Sequence, residues 1–407
     1  MFLTRPSHVT ENLSDVLTAE KIWYNLYTPG LRLNVDYILL IRWIPKDIGL
    51  KRWFCLYLGL YVYHLQPSLL STIPKIFKKV IYKSLYEFFV LHNLLISENS
   101  GFKKNDSTVN QLIAITHEIY KAIDSGHDVC AIFLDVSKAF DKVWHEGLIF
   151  KLKQIGIYYN LLLLLINYLD SRSQKVVLNG TSSSLCSTSA GVPQGSIRVP
   201  LLFLVYVNDI KHNIRCNIKL FADDTSLMEE IGNPATSFYK WNQDLDTLNK
   251  WSKQWIVTFN ASKTQFLIIS KKSGRPVYPP LYLNNTAINE VTVHTHLGLV
   301  FNNKMSWTDY INDICKKCNK RLDIIQKMRS ILPRSCIEKM YKSFIRSLLD
   351  YTDVIYDNCS KFDTDKLEPV QRRACIIATG AIRLTKHETL LYIFILIKPM
   401  YNNGTEI

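Results

Sequence analysis

Two adjacent carboxylates, Asp223 and Asp224, interrupt an otherwise apolar stretch, with Cys216, Ile218 and Leu220 before them and Thr225 to Met228 after. Aspartate is disfavoured inside strands but fits a turn. The segment therefore predicts a β-hairpin carrying the acid pair, with Phe221 and Ala222, at its tip. Carboxylates side by side repel unless a cation shares them, and Mg²⁺ is held through one or two carboxylates together with substrate phosphates. Taken alone, the doublet reads equally as a solvated turn.

A third acid lies upstream. Val129 to Leu134 is an unbroken apolar run without helical spacing, and it ends at Asp135. That pattern predicts a central strand covered on both faces and delivering one carboxylate at its end. Asp135 as an N-cap before Ser137-Lys138-Ala139-Phe140 is the competing reading. A strand-end acid beside a hairpin-tip pair suits two divalent ions roughly 3.5–4 Å apart, the clamp used for in-line phosphoryl transfer.

Charge points to the same class of partner. Lys and Arg number 49 against 35 Asp and Glu, a net of +14. This excess favours a polyanion, nucleic acid before a membrane surface. A hydrophobic content of 47% is ample for a core and argues against wholesale disorder. The nine cysteines lack paired spacings, and Cys315 with Cys318 falls on a helical apolar stripe, so a reducing, intracellular setting (nucleus or cytoplasm) is expected rather than zinc or disulfides. The longest charge-free apolar stretch, Trp53 to Tyr63, has eleven residues, too short to span a bilayer. No signal-peptide layout opens the chain, and no membrane association is expected.

Periodicity organises the rest. Residues 1–65 show no clean pattern and stay unassigned. Helices are predicted over Ile73–Phe89, over Val109–Ile123 behind a Ser107-Thr108 cap, near Glu146–Gln154 and over Leu161–Leu169. A strand pair follows around Lys175–Leu178 and Leu185–Ser189, then a breaker-rich loop, Gly191-Val192-Pro193-Gln194-Gly195-Ser196, running into apolar Leu201–Val207. Phe238, Trp241, Leu245, Leu248, Trp251 and Trp255 recur at three and four, marking a long helix, and strands alternate with turns as far as Phe301. Two further stripes end the pattern: Ile311, Ile314, Cys318, Leu322, Ile325, then Ile337, Met340, Tyr341, Phe344, Ile345, Leu348. Pro333 separates them, and Pro369 precedes a last helix around 371–377. Between Lys304 and Arg346 eleven basic residues face four acidic ones, which suits either solvated helix faces or a clamp on a phosphate backbone.

Six segments in this order resemble the reverse transcriptases of non-LTR (LINE-like, jockey-type) retrotransposons, over roughly Ser71 to Leu391. They are Ser100 to Thr108, Phe133 to Trp144, Gly191 to Ser196, Phe221 to Asp224, Asn260 to Thr264 and His296-Leu297-Gly298-Leu299. The resemblance implies an α+β right-hand polymerase, with fingers and an antiparallel-sheet palm over 66–302, a basic helical thumb and C-terminal helices over 303–395, and a tail over 396–407. It implies an RNA-directed DNA polymerase acting on an RNA template, a DNA primer and dNTPs, with two Mg²⁺ ions or Mn²⁺ in their place. Asp135 and Asp223 would ligate the ions with Asp224 beside them, and the Val136 carbonyl would complete one shell. Phe140 matches the bulky residue beneath the incoming sugar, although read without the family it is a core aromatic. Gln194 and Gly195 match the nucleotide- and template-contacting pair. Lys263 matches a lysine near the triphosphate, suited to protonate the departing pyrophosphate, and Leu297-Gly298 matches the primer-gripping turn.

The chain departs from that pattern in places. Gln66 stands where the family carries a finger arginine, and Ile197-Arg198-Val199-Pro200 replaces Ile-Leu-Gly-Pro, losing a glycine where backbone must approach the template. No endonuclease module or Cys/His knuckle is recognisable, so a fragmentary or decayed element is expected. The alternative function is a catalytically inactive, nucleic-acid-binding remnant, and a more distant rival is another palm-type phosphotransferase.

Overall fold

A computed structural model describes residues 72–390 apart from 171, 179, 189, 193–197, 275, 383 and 387–388. The expectations for residues 1–65, Gln66, Gln194, Gly195 and the tail lie outside the described residues. Contacts divide the described residues into two units, one of residues 72–310 with 354–359, the other of 311–353 with 360–390.

The first unit contains α1 (Thr72–Leu91), α2 (Thr108–Asp124), β1 (Asp128–Leu134), α3 (His145–Gln154) and α4 (Tyr159–Leu169). A ribbon follows, β2 (Arg172–Gln174), β3 (Val177–Leu178), β4 (Thr181–Ser182) and β5 (Cys186–Thr188), then α5 (Arg198–Tyr206). Next come β6 (Asn217–Phe221), β7 (Asp224–Ile231), α6 (Pro234–Gln254), β8 (Gln265–Ile269), β9 (Tyr282–Leu283), β10 (Thr286–Ala287), β11 (Asn289–Val291), β12 (Val293–His296) and β13 (Leu299–Asn302). The main sheet has the order β11-β8-β1-β7-β6, antiparallel except for the β11–β8 pair. β1 is its middle strand and is buried along its whole length, which is what an unbroken apolar run requires.

Local chemistry starts the helices, at Ser107 where the sequence predicts a cap and at Asn233 where the apolar stripe alone marks none. The Ser107 hydroxyl accepts from the Asn110 N–H at the head of α2, whose Leu112, Ile115 and Ile119 are buried. The Asn233 side chain accepts from the Ala235 and Thr236 N–H groups, and Pro234 opens α6. Its stripe of Phe238, Trp241, Leu245, Leu248 and Trp251 packs into the core. The Asp244 carboxylate, on the same helix and 1% exposed, accepts from the Arg215 Nε and from the N–H groups of Arg215 and Cys216. That ties α6 to the entrance of β6. The ribbon differs in register from the expected strand pair: Arg172–Gln174 pairs with Cys186–Thr188, and Val177–Leu178 with Thr181–Ser182. A glycine at the tip, Gly180 (φ +84°), permits the tight return that puts Val177 opposite Ser182.

A buried lysine joins α3, α5 and α6. Lys151, with its side chain 8% exposed, donates to the Tyr206 carbonyl (2.5 Å) and to Asp209 Oδ1 (2.6 Å), and its ammonium lies 3.7 Å from the centre of a Trp255 ring. Burial outweighs Asp209 and pulls its pKa down to about 8. An unfolded lysine titrates near 10.4, so between these values the unfolded chain holds more protons and stability rises with pH, by up to about 3 kcal/mol. Below pH 8 both states are protonated and the term is flat. Urea melts across pH 8 to 10 are expected to show this rise in the wild type and not in Lys151→Met; equal slopes in both would assign the rise elsewhere.

The second unit is helical among its described residues. Helix Thr308–Met328 buries Ile311, Ile314, Cys318, Leu322 and Ile325, and helix Arg334–Tyr341 buries Ile337, Met340 and Tyr341. Here the structure departs from an even stripe. Residues Lys342–Arg346 form a π-helical turn, which inserts an extra residue, so Leu349 rather than Leu348 takes the buried position. The Arg321 guanidinium donates to the Phe344 carbonyl within that turn (2.6 Å). Pro369 does not precede the last helix but sits inside it, within Lys361–Thr379. The Ser360 cap, the left-handed Gly380 stop and buried Leu367, Val370, Ala374 and Cys375 outweigh the one backbone hydrogen bond a proline removes. Lys316, Lys317, Lys320, Lys327 and Lys339 are exposed. No helix among the described residues is long and apolar enough to cross a membrane.

Candidate active site

The register of the central strands brings the acids together. β1 runs antiparallel to β7 with Leu134 opposite Thr225, and β6 and β7 form a hairpin closed by the Phe221–Asp224 pair. The last pair of the first ladder stands next to Asp135 on one strand and Asp224 on the other, with Asp223 in the turn. Ala222, the first turn residue, has φ +59°, a conformation an L-residue holds only under constraint.

That constraint comes from a segment for which spacing announces no role. Ser100 N–H donates to the Leu220 carbonyl, Leu220 N–H to the Glu98 carbonyl, and Asn99 forms a parallel bridge with Leu220. The Asn99 amide oxygen, buried, accepts from Gly101 N–H (2.9 Å) and Ala222 N–H (3.5 Å). A Cβ on Gly101 would lie 2.2 Å from the Ala222 nitrogen. The hairpin tip thus leans directly on the backbone of Gly101, a contact between positions more than a hundred residues apart.

On the other side of β1, Asn260 N–H donates to the Asp135 carbonyl (2.8 Å) and Ser137 N–H to the Thr258 carbonyl (2.9 Å). Val136 lies between them opposite Phe259 as a non-hydrogen-bonded pair. In such a pair the N–H and C=O of the middle residue point away from the partner. The Val136 carbonyl is thereby turned from the Phe259 side toward the β7 side, where the acid pair sits. The Thr264 hydroxyl is 3.4 Å from the Asp135 nitrogen, and the Asn260–Thr264 turn that makes these contacts carries Lys263, exposed.

Strand alternation puts Asp135 on the face of Phe133. That face is covered by the β12–β13 hairpin: the His294 ring stacks on Phe133 at 3.9 Å and His296 lies 5.0 Å from it. Burial lowers the His294 pKa to about 4 and that of His296 to about 3, so both are neutral at pH 7. The hairpin turns at Leu297 and Gly298, with φ +48° and +87°, the double left-handed turn that suits strand twist. Phe140 is half-buried against Phe203 (4.6 Å between ring centres). Its carbonyl accepts from Val192 N–H, while Gly191 N–H donates to the Val143 carbonyl, stitching the start of the breaker-rich loop beside it. Gly191 has φ +88° and no room for a Cβ against the Asp141 carbonyl.

The donor set fits a hard divalent ion. The donors expected from the sequence, the Asp135, Asp223 and Asp224 carboxylates and the Val136 carbonyl, are all oxygens, the ligands Mg²⁺ takes. No group of three His, Cys, Asp or Glu side chains among the described residues is placed so that it could hold a metal ion. An ion that completes its shell with substrate phosphates needs none.

The chain is 27% identical over 339 residues to a probable RNA-directed DNA polymerase from transposon BS of Drosophila melanogaster, covering 79% of this chain and 37% of that protein. It is 26% identical over 325 residues to the RNA-directed DNA polymerase from mobile element jockey of the same species, covering 77% of this chain and 35% of that protein. The chain thus spans little more than a third of the length of these relatives. Among solved structures, apo telomerase from Candida tropicalis overlaps 84% of this chain and 55% of its own at 11% identity, with a TM-score of 0.43. The reverse transcriptase (RNA-dependent DNA polymerase) family profile matches residues 62–301, more than half of the chain, and the chain belongs to that family.

Proposed function

We propose that this chain is the polymerase domain of a non-LTR mobile element, extending a DNA primer by copying an RNA template. The observation that supports the reading is the β1–β7 register, whose last pair, Leu134 with Thr225, stands next to Asp135 on one strand and Asp224 on the other. Asp135, Asp223 and the Val136 carbonyl would hold two Mg²⁺ ions, with Asp224 beside them. Bound there, the ions supply a lowered pKa for the primer 3′-hydroxyl and charge neutralisation for the transferring and departing phosphates. The protein contributes position: the Asn260 and Thr264 contacts fix the backbone at Asp135, and Asn99 with Gly101 fixes the tip. Phe140 would underlie the sugar, and Gln194 with Gly195 would meet the nucleotide and template base. Lys263, exposed on the turn beside Asp135, would neutralise or protonate the departing pyrophosphate. Leu297 and Gly298 would bear on the primer terminus, and the exposed lysines of the helical unit would suit nucleic-acid phosphates.

Primer extension tests this. With an RNA template, an annealed DNA primer, dNTPs and Mg²⁺, the protein is expected to lengthen the primer, and EDTA to stop it. Salt-sensitive binding of the duplex without any extension would instead support the non-catalytic remnant, a reading the Arg198-Val199 departure favours.

A further inference from the structure

Three phenylalanine rings run from the core to the surface beside the hairpin tip. Phe203 is buried, Phe140 is half-buried against it, and Phe102 meets Phe140 edge-to-face, 6.1 Å between centres at 76°. Phe102 is 42% exposed, and its backbone has φ +58°. A bulky residue in the left-handed region is rare, and such residues concentrate where surrounding structure holds them for a purpose. Here the chain is fixed on both sides. Gly101 is wedged against Phe221 and Ala222, while the Lys103 ammonium donates to the Ile96 carbonyl and Lys104 N–H to the Tyr86 hydroxyl (2.7 Å). An exposed aromatic is thus kept in a strained conformation, one residue from the backbone that carries Asp223.

We propose that Phe102 is the second wall of the pocket for the incoming nucleotide's sugar, set at a right angle to Phe140 and tied to the acid-bearing tip through Gly101. The inference rests on reading the site as a polymerase centre and names a specificity-determining residue in it. Two apolar rings at an angle enclose a deoxyribose C2′ methylene without cost. A 2′-hydroxyl in the same corner meets carbon on two sides and loses its water without a replacement partner, a penalty that discriminates between nucleotides. The strut also makes the corner and the carboxylates one rigid body, so the sugar is selected at the place where its phosphate reacts.

The test compares wild type, Phe102→Ala, Phe102→Tyr and Phe140→Ala with a template–primer duplex. Extension with Mg²⁺ reports dATP against ATP use, and the thermal shift with Ca²⁺ reports dATP against ATP binding without turnover. Phe102 is largely exposed, so Phe102→Ala is expected to fold. It should cut the preference for dATP about tenfold in both readouts, chiefly by accepting ATP, and Phe102→Tyr should keep it. An unchanged preference in Phe102→Ala, alongside a relaxed one in Phe140→Ala, would overturn the role of Phe102 and leave the polymerase reading standing. An equal loss with both nucleotides would also overturn it, in favour of a base-stacking platform. A wild type that neither extends the primer nor shifts with either nucleotide would overturn the polymerase reading and this inference together.

Discussion

Asp223→Ala is expected to cut primer extension by ~10²–10³-fold, while leaving the melting temperature within about 2 °C of wild type. Asp223 is a half-exposed turn residue beyond the last ladder pair, Phe221–Asp224, so truncating it removes no core packing. What it removes is an oxygen that would hold the ion on the reacting phosphate. Losing one group that stabilises developing charge costs on the order of 3–4 kcal/mol, which is the expected factor. Asp135→Asn should match it, because the amide preserves shape but not charge. Single-nucleotide incorporation read on a sequencing gel, with melting followed by circular dichroism, checks both halves. Retained extension in Asp223→Ala would remove the acid pair from the chemistry.

Gly101→Ala is expected to have the second largest effect, through geometry rather than charge. Its new Cβ would lie 2.2 Å from the Ala222 nitrogen and 2.9 Å from the Phe221 carbonyl carbon, both backbone atoms that have no rotamer in which to escape. The tip must move. Displacements of about 1 Å at a reacting centre cost ~10²-fold, and overpacking costs about 1–3 kcal/mol of stability. The distinguishing measurement is amide hydrogen exchange. Protection should fall at Ala222, whose N–H reaches Asn99, and persist across β1. Full extension activity in a protein whose Ala222 amide stays protected would show that the wedge does not position the site.

Much of this arrangement was legible in one dimension. The unbroken run before Asp135 required a strand covered on both faces, and β1 is that strand. The stripe from Phe238 to Trp251 recurs at three and four, and it lies on one long helix. Both are local periodicities, and burial of apolar surface enforces them wherever the element ends up. The phase of the last stripe was not legible, because a π turn at Lys342–Arg346 is set by what Arg321 and the neighbouring core accept. Pro369 misled for a similar reason: its local penalty is real, and a buried face outweighs it.

The sequence by itself determined the chemical vocabulary: three acids in two segments, a basic surplus, and alternations that can only be buried one way. These follow from the backbone's hydrogen-bonding needs and from side-chain polarity, which act over a few residues. Only the tertiary structure decided that Leu134 would pair with Thr225, that Val136 would pair with Phe259, and that Gly101 would carry the tip. Those are contacts between residues about ninety to more than a hundred positions apart. Strand register and steric fit settle them only once the whole sheet has assembled.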